Sequence, residues 1–153
     1  MVENHALGYQ FVIPKVWKMT DPFGPIYVRA RYSTDVTQEV TLALTMKGAK
    51  GTLEDELLEL KDKEIESFDD LQASVLTTNG YGTELGYFQY TKFVRGSIHG
   101  FIYGEIYKIL FKVDNIIVTI SISKIPTYGH ASLKLNATDL QAIRAVQNSI
   151  RIK

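Results

Sequence analysis

The chain predicts an α+β fold, an antiparallel β-sheet with helices packed on it, and three observations carry that prediction. Apolar, β-branched and aromatic segments follow one another through short polar turns, most densely from Leu85 to Ile125. Strands that are adjacent in sequence and tightly joined pair antiparallel. Two stretches, one central and one C-terminal, interrupt this pattern with apolar residues at helical spacing. At 153 residues, 45% hydrophobic and 22% charged, the chain has the size and balance of one packed domain over residues 1–153. No internal repeat or low-complexity segment divides it.

Tyr9 to Ile13 reads as a short apolar strand closed by Pro14. Trp17 follows, then a loop at Asp21-Pro22-Phe23-Gly24-Pro25. Ile26 to Ser33 and Glu39 to Met46 alternate and are rich in β-formers, so both are expected as strands. Thr52 to Phe68 has neither Gly nor Pro and almost no β-branching. Its opening, Thr52-Leu53-Glu54-Asp55, has the form of a capping box: the Thr52 hydroxyl accepts from the Asp55 amide while the Asp55 carboxylate reaches back. Leu53, Leu57, Leu58, Leu60, Ile65 and Phe68 are read as one buried arc of this amphipathic helix.

Leu71 to Leu76 is expected as a strand and Thr77 to Gly82 as a turn. Asp114-Asn115 between apolar runs is a two-residue hairpin turn, since both residue types tolerate positive φ. It pairs Val113 with Ile116, Phe111 with Val118, Ile109 with Ile120 and Tyr107 with Ile122, and these side chains share one core face. The same register sets Glu105 opposite Lys124. The other face, with Lys108, Leu110, Lys112, Thr119 and Ser121, reads as only half apolar. After a loop from Pro126 to Leu135, a second helix is expected from Thr138 to Arg151, capped by Asn136 or Thr138. Leu140, Ile143, Val146 and Ile150 form its buried stripe.

Composition excludes several chemistries. Without cysteine there is no disulfide, thiolate nucleophile or cysteine-ligated metal. The three histidines, His5, His99 and His130, lack metal-ligand spacing, so no metal and no cofactor is expected. Seventeen basic against seventeen acidic residues argue against a nucleic-acid binder. No segment is long and apolar enough to span a membrane. The opening Met1-Val2-Glu3-Asn4-His5 is not a secretory signal, so a cytoplasmic protein is expected. The cluster Gly80-Tyr81-Gly82 precedes a strand and reads as a turn, because a phosphate loop needs a helix after it. Asn136-Ala137-Thr138 reads as a helix cap rather than a glycosylation acceptor. No nucleophile elbow is present, and His130 in Tyr128-Gly129-His130-Ala131-Ser132 is the one candidate base.

Two features point to a surface. Nine of the aromatic residues lie between Tyr81 and Phe111. Tyr87 and Tyr90 fall on opposite faces of their strand, so one of them is expected to be less buried and open to a partner. Charge is segregated: Glu54 to Asp70 holds nine acids and two lysines, leaving a net of +7 elsewhere. Asp55, Glu59, Asp62 and Glu66 repeat every three or four residues and form one helical stripe. Such repulsion costs a helix a few tenths of a kcal/mol per pair, and the stripe suits docking of a basic partner.

The segment Gly8-Tyr9-Gln10-Phe11-Val12-Ile13-Pro14-Lys15-Val16-Trp17 resembles the opening of the PsbP-like proteins, an aromatic strand, a Pro and a Trp three residues on. The closing Asn148-Ser149-Ile150-Arg151 is similar to the end of that family's last helix. The family includes a photosystem II extrinsic protein, a Ran-binding nuclear transport factor and bacterial chaperones of type VI effectors. The resemblance implies a twisted antiparallel sheet with helices on both sides, an α/β/α sandwich used for binding, and no catalytic residues. A non-enzymatic protein-binding module is therefore expected, an adaptor, effector chaperone or immunity-type partner. Its expected contacts are Asp55, Glu59, Asp62, Glu66, Tyr87 and Tyr90, together with an open sheet face. A second copy is among the admissible partners. The alternative is a small enzyme or ligand carrier with a pocket between sheet and helix.

Overall fold

A computed structural model of the chain describes residues 2–14, 17–21, 29–33, 39–65, 70–96, 100–124 and 134–153. Among these the order is β1 (Val2–Asn4), β2 (Tyr9–Phe11), β3 (Lys18–Asp21), β4 (Arg29–Ser33), β5 (Glu39–Gly48) and α1 (Leu53–Glu64). It continues with β6 (Leu71–Thr78), β7 (Glu84–Gly96), β8 (Gly100–Val113), β9 (Ile116–Lys124), α2 (Ala137–Ser149) and β10 (Arg151–Ile152). Seven strands form one antiparallel sheet in the order β3-β4-β5-β9-β8-β7-β6, and three form a small sheet, β1-β2-β10. The architecture is α+β, an antiparallel sheet flanked by helices. Glu66, Phe68, His99, the Pro22–Pro25 part of the expected loop, and the 125–133 segment with His130 and Ser132 lie outside the described residues.

The β8–β9 hairpin forms in the expected register, with Val113 on Ile116 and Glu105 opposite Lys124. Asp114 supplies the positive φ of the turn, 52°. Tyr107, Ile109, Phe111, Val118, Ile120 and Ile122 face a core closed by Ile143 and Val146 of α2, by Ile150 at its C-cap, and by Val2, Tyr9 and Phe11 of the small sheet. The opposite face departs from the half-polar reading. Leu110 and Ile117 are fully buried there, with Phe88, Tyr90 and Ile106, under Leu53 and Leu57 of α1. The strands between the two helices are therefore buried on both faces. Alternation within one strand hid this, because neighbouring strands supplied the missing apolar side chains.

Both helices are capped as expected. The Thr52 hydroxyl accepts from the Asp55 amide at 3.2 Å, and the Thr52 amide donates to the Asp55 carboxylate at 3.1 Å. Asn136, not Thr138, caps α2, with the reciprocal contact from Asp139. The glycine cluster is a turn, with Gly82 at φ 78°. Its Asn79 amide donates to the Gln147 and Ile150 carbonyls at 3.1 and 2.8 Å and so satisfies the open end of α2.

Three strands were not foreseen: β1, β3 and β10. They are two to four residues long and are made by tertiary pairing. Arg151 and Ile152 pair with Gln10 and Tyr9, so the end of the chain closes onto its beginning. The Val12 amide donates to the Ser149 hydroxyl at 2.8 Å. The two segments that carry the family resemblance thus touch one another.

Candidate functional site

α1 presents one face to the sheet and one to solvent. Leu53 and Leu57 pack inward, and the Leu57 side chain lies close enough to Gly86 that a Cβ there would stand 3.1 Å from it. Glu56 sits on the flank of this face at 1% exposure. Its carboxylate accepts from the Lys50 amide and lies 3.1 Å from the Lys47 ammonium. These contacts, the Lys50 amide first, hold its carboxyl below the usual range against the opposing effect of burial.

The outer face carries Glu54, Asp55, Leu58 and Asp62, all exposed. Leu58 is 49% exposed, which corrects the reading that placed it in the buried arc. At 100° per residue it stands about 140° around the helix from Leu53, too far to reach the sheet. The helical angle alone carries that signal. Asp55 is engaged in the capping box, and Glu59 pairs with Lys63 at 3.2 Å and Lys50 at 3.9 Å. The outermost surface is therefore an exposed leucine between Glu54 and Asp62, one turn to either side. Glu66, the last member of the expected stripe, lies outside the described residues.

Tyr87 and Tyr90 separate as their alternation requires. Tyr90 is 1% exposed beneath α1 and donates to Glu64 at 3.2 Å. Burial, reinforced by the Glu64 charge, raises its hydroxyl pKa far above the usual value. Tyr90 is thus a core residue and not a surface contact, since the apolar face of α1 covers it. Lys108 pairs with the same Glu64 at 3.6 Å, and burial pushes its ammonium pKa down.

Tyr87 is half-buried on the opposite face and stacks on Tyr107 with ring centroids 5.5 Å apart. The Tyr107 hydroxyl donates to Gln147 of α2 at 3.0 Å, and burial raises its pKa strongly. These rings, with Thr77, Thr78, Arg144 and Asn148, line a cavity of about 240 Å³ between the sheet and α2. A larger groove of about 530 Å³ lies at the other side of the β6–β7 turn, between Tyr81, Thr83, Glu84, Lys112 and Asp114. Its charges are of mixed sign.

A buried ion pair joins Lys124 to Asp139 at 2.8 Å. Lys124 and Glu105 face each other in register, yet Glu105 accepts from Gln89 and Lys124 turns to α2. Neither cavity is lined by this pair, and Asp139 is held by its capping role. Among the described residues no group of His, Asp and Glu could hold a metal ion. His5 is exposed beside Glu3. No described helix is long and apolar enough to cross a membrane.

The described sheet leaves apolar surface open at β6, where Val75 and Leu76 are 40% and 42% exposed.

No family model and no curated protein matches the chain. Solved structures do. A protein of Bacteroides thetaiotaomicron VPI-5482 matches at a TM-score of 0.54 and 13% identity, covering 100% of this chain, which spans only 47% of that protein. LpqN of Mycobacterium tuberculosis, described as involved in cell envelope biogenesis, matches at 0.58 and 11% identity over 95% of this chain and 83% of its own. Cyanobacterial PsbP from Synechocystis sp. PCC 6803 matches at 0.58 and 15% identity over 98% and 89%. With the Tyr9–Trp17 opening joined to the last helix and the antiparallel sheet held between α1 and α2, the chain has the PsbP-like fold.

Proposed function

We propose that the chain is a non-enzymatic protein-binding module, an adaptor or effector chaperone, that docks a basic partner on the outer face of α1. One observation carries the reading: Leu58 is 49% exposed on a face it shares with Glu54, Asp55 and Asp62. An apolar anchor inside a charged rim is the anatomy of a protein–protein contact, the anchor giving affinity and the rim giving rate and partner choice. Glu56, Glu59 and Glu64 are occupied by lysines of the chain itself, so Glu54 and Asp62 are the charges most open to a partner. The PsbP-like fold is compatible with protein interaction.

The test is affinity capture from the source lysate with the wild-type chain and two variants. Leu58→Ser and the double variant Glu54→Lys/Asp62→Lys should each weaken capture of a stoichiometric partner by about tenfold or more. The wild-type and Leu58→Ser complexes should weaken further as salt rises, because their rim charges are screened, whereas the Glu54→Lys/Asp62→Lys variant should lose that dependence. Thermal stability should change little, as both acids are exposed and the relief of like-charge repulsion is offset by the cation that Glu54→Lys places in the first turn of α1. Capture that is unchanged in both variants overturns the α1 surface.

A second reading, carriage of a small ligand, is favoured by the Tyr87–Tyr107 cavity. Two phenols, Gln147 and the Arg144 guanidinium converge there, a set suited to a small anion or carboxylate. A thermal-shift series of small carboxylates, repeated with Arg144→Gln, tests it. A shift that survives Arg144→Gln removes this reading.

A further inference from the structure

In the β6–β7 turn Asn79 is followed by Gly80, and the two residues are held very differently. The Asn79 carboxamide makes four hydrogen bonds. Its oxygen accepts from the Tyr81 and Thr83 amides at 3.0 and 3.1 Å, and its nitrogen donates to the Gln147 and Ile150 carbonyls at 3.1 and 2.8 Å. Gly80 is exposed, and its own amide has no partner among the described residues. A Cβ at Gly80 would meet nothing within 4 Å, so its backbone is open to approach. A side-chain amide thus stands beside an unhindered backbone nitrogen, and hydrogen bonds to the rest of the fold hold it in place.

We propose that Asn79–Gly80 is a modification site gated by the fold: the closed turn protects the Asn79 amide, and each opening of the turn from α2 exposes it to conversion into aspartate or isoaspartate. The Gly80 nitrogen, on losing its proton, attacks the Asn79 side-chain carbonyl carbon. The new N–C bond displaces ammonia and closes a succinimide. Water then opens the ring at either carbonyl. Water is consumed, ammonia is released, and nothing is oxidised or reduced.

The product does not close as the amide did. An ionised carboxylate only accepts, whereas the amide both accepts and donates. It still serves the Tyr81 and Thr83 amides, but it sets a negative charge against the two carbonyls at the end of α2. From that end β10 runs on to pair with β2, and the Lys153 amide donates to the Gly8 carbonyl at 2.7 Å. Conversion to aspartate therefore leaves the turn formed and loosens β10. Because water does not restore the amide, the modified residue is a lasting record that the joint has opened.

Peptide mass spectrometry on the full chain, incubated with and without guanidinium chloride, tests this. Conversion at Asn79 should be about tenfold or more slower in the folded chain, since the four hydrogen bonds must break before the side chain can reach Gly80. Thr83→Val removes a hydroxyl that donates to the Ile150 carbonyl at 3.0 Å and leaves Asn79 and Gly80 in place. It should speed conversion in the folded chain by about threefold or more and leave the denatured rate unchanged. Gly80→Ala should slow the denatured rate by about tenfold, which separates backbone attack from direct hydrolysis. Asn79→Asp carries one product from the start. Its Tyr81 and Thr83 amides should exchange as slowly as in the wild-type chain, while the β10 and Lys153 amides quicken by about threefold or more. Equal conversion of wild-type chain in the two conditions overturns the proposal without any substitution. So do a Thr83→Val rate no faster than wild type, a denatured rate that Gly80→Ala leaves unchanged, or an Asn79→Asp chain whose β10 stays as firmly closed, as pairing of the new carboxylate with Arg144 would make it.

Discussion

Glu56 shows how one carboxylate ties α1 to the end of β5. The Lys50 amide donates to it and Lys47 stands 3.1 Å away, while the side chain itself is buried. Its folded pKa lies below the ordinary 4.5, so the unfolded chain binds the proton more readily in the window beneath that value. Stability from Glu56 is complete above pH 4.5 and is lost as pH falls through the lowered folded value. Thermal denaturation from pH 7 to 3 should show this loss, and Glu56→Gln should flatten that part of the profile. Glu56→Ala at pH 7 should cost about 1–3 kcal/mol by leaving the Lys50 amide unsatisfied, read by urea denaturation. Gly86 of β7 meets α1 at a different residue, Leu57. A Cβ there meets two Leu57 methyls at 3.1 and 3.3 Å, so Gly86→Val should destabilise by about 1–3 kcal/mol. The capping pair Thr52 and Asp55 was legible in sequence, because both partners are three residues apart. The Glu56–Lys47 contact was not, since it depends on where β5 passes α1.

At the scale of elements, the two helices are anchored by different means. α1 rests on the sheet through Leu53 and Leu57 and carries its charge outward. α2 adds a buried polar anchor at its start, where Asp139 closes the capping box and pairs with Lys124 of β9. The side chains of that pair are 4% and 2% exposed. Removing one partner strands the other in the core, so Asp139→Ala should cost about 3–5 kcal/mol. Asn136→Ala, which removes the cap alone, should cost only about 1 kcal/mol. Comparable losses in chemical denaturation would show that the ion pair adds nothing to the cap. The apolar stripe of α2 was readable from its periodicity, and Ile143, Val146 and Ile150 are all fully buried. Leu58 of α1 was misassigned because an apolar residue near the edge of an arc is counted by type when its angle should decide.

At the scale of the molecule, the ends of the chain are drawn together around one residue of a turn. Asn79 accepts from the Tyr81 and Thr83 amides and donates to the Gln147 and Ile150 carbonyls. It joins the β6–β7 turn to the end of α2, from which β10 pairs with β2. Asn79→Ala should cost about 2–3 kcal/mol, since the turn amides and helix carbonyls lose their partner together. Hydrogen exchange should quicken at the Tyr81 and Thr83 amides and at β10 in the same variant. Loss at the turn without any change at β10 would show that the two ends are held independently. The glycines around Asn79 invited a phosphate-loop reading, and their use is structural: they allow the turn in which Asn79 reaches α2.

The sequence by itself determined the α+β class, the β8–β9 register, both helices and the Thr52 cap of α1, because each rests on spacing within a few residues, while it left Asn136 and Thr138 open as the cap of α2. It also determined that Asp55 and Asp62 share the outer face of α1, since charge and helical angle are both local. Tertiary structure alone decided that the second sheet face is buried, that Tyr90 rather than Tyr87 is core, and that β6 is an edge. Those outcomes depend on which strand lies beside which and on what α1 covers. Order along the chain does not contain that information, because β9 sits between β5 and β8 and β6 is carried to the end of the sheet.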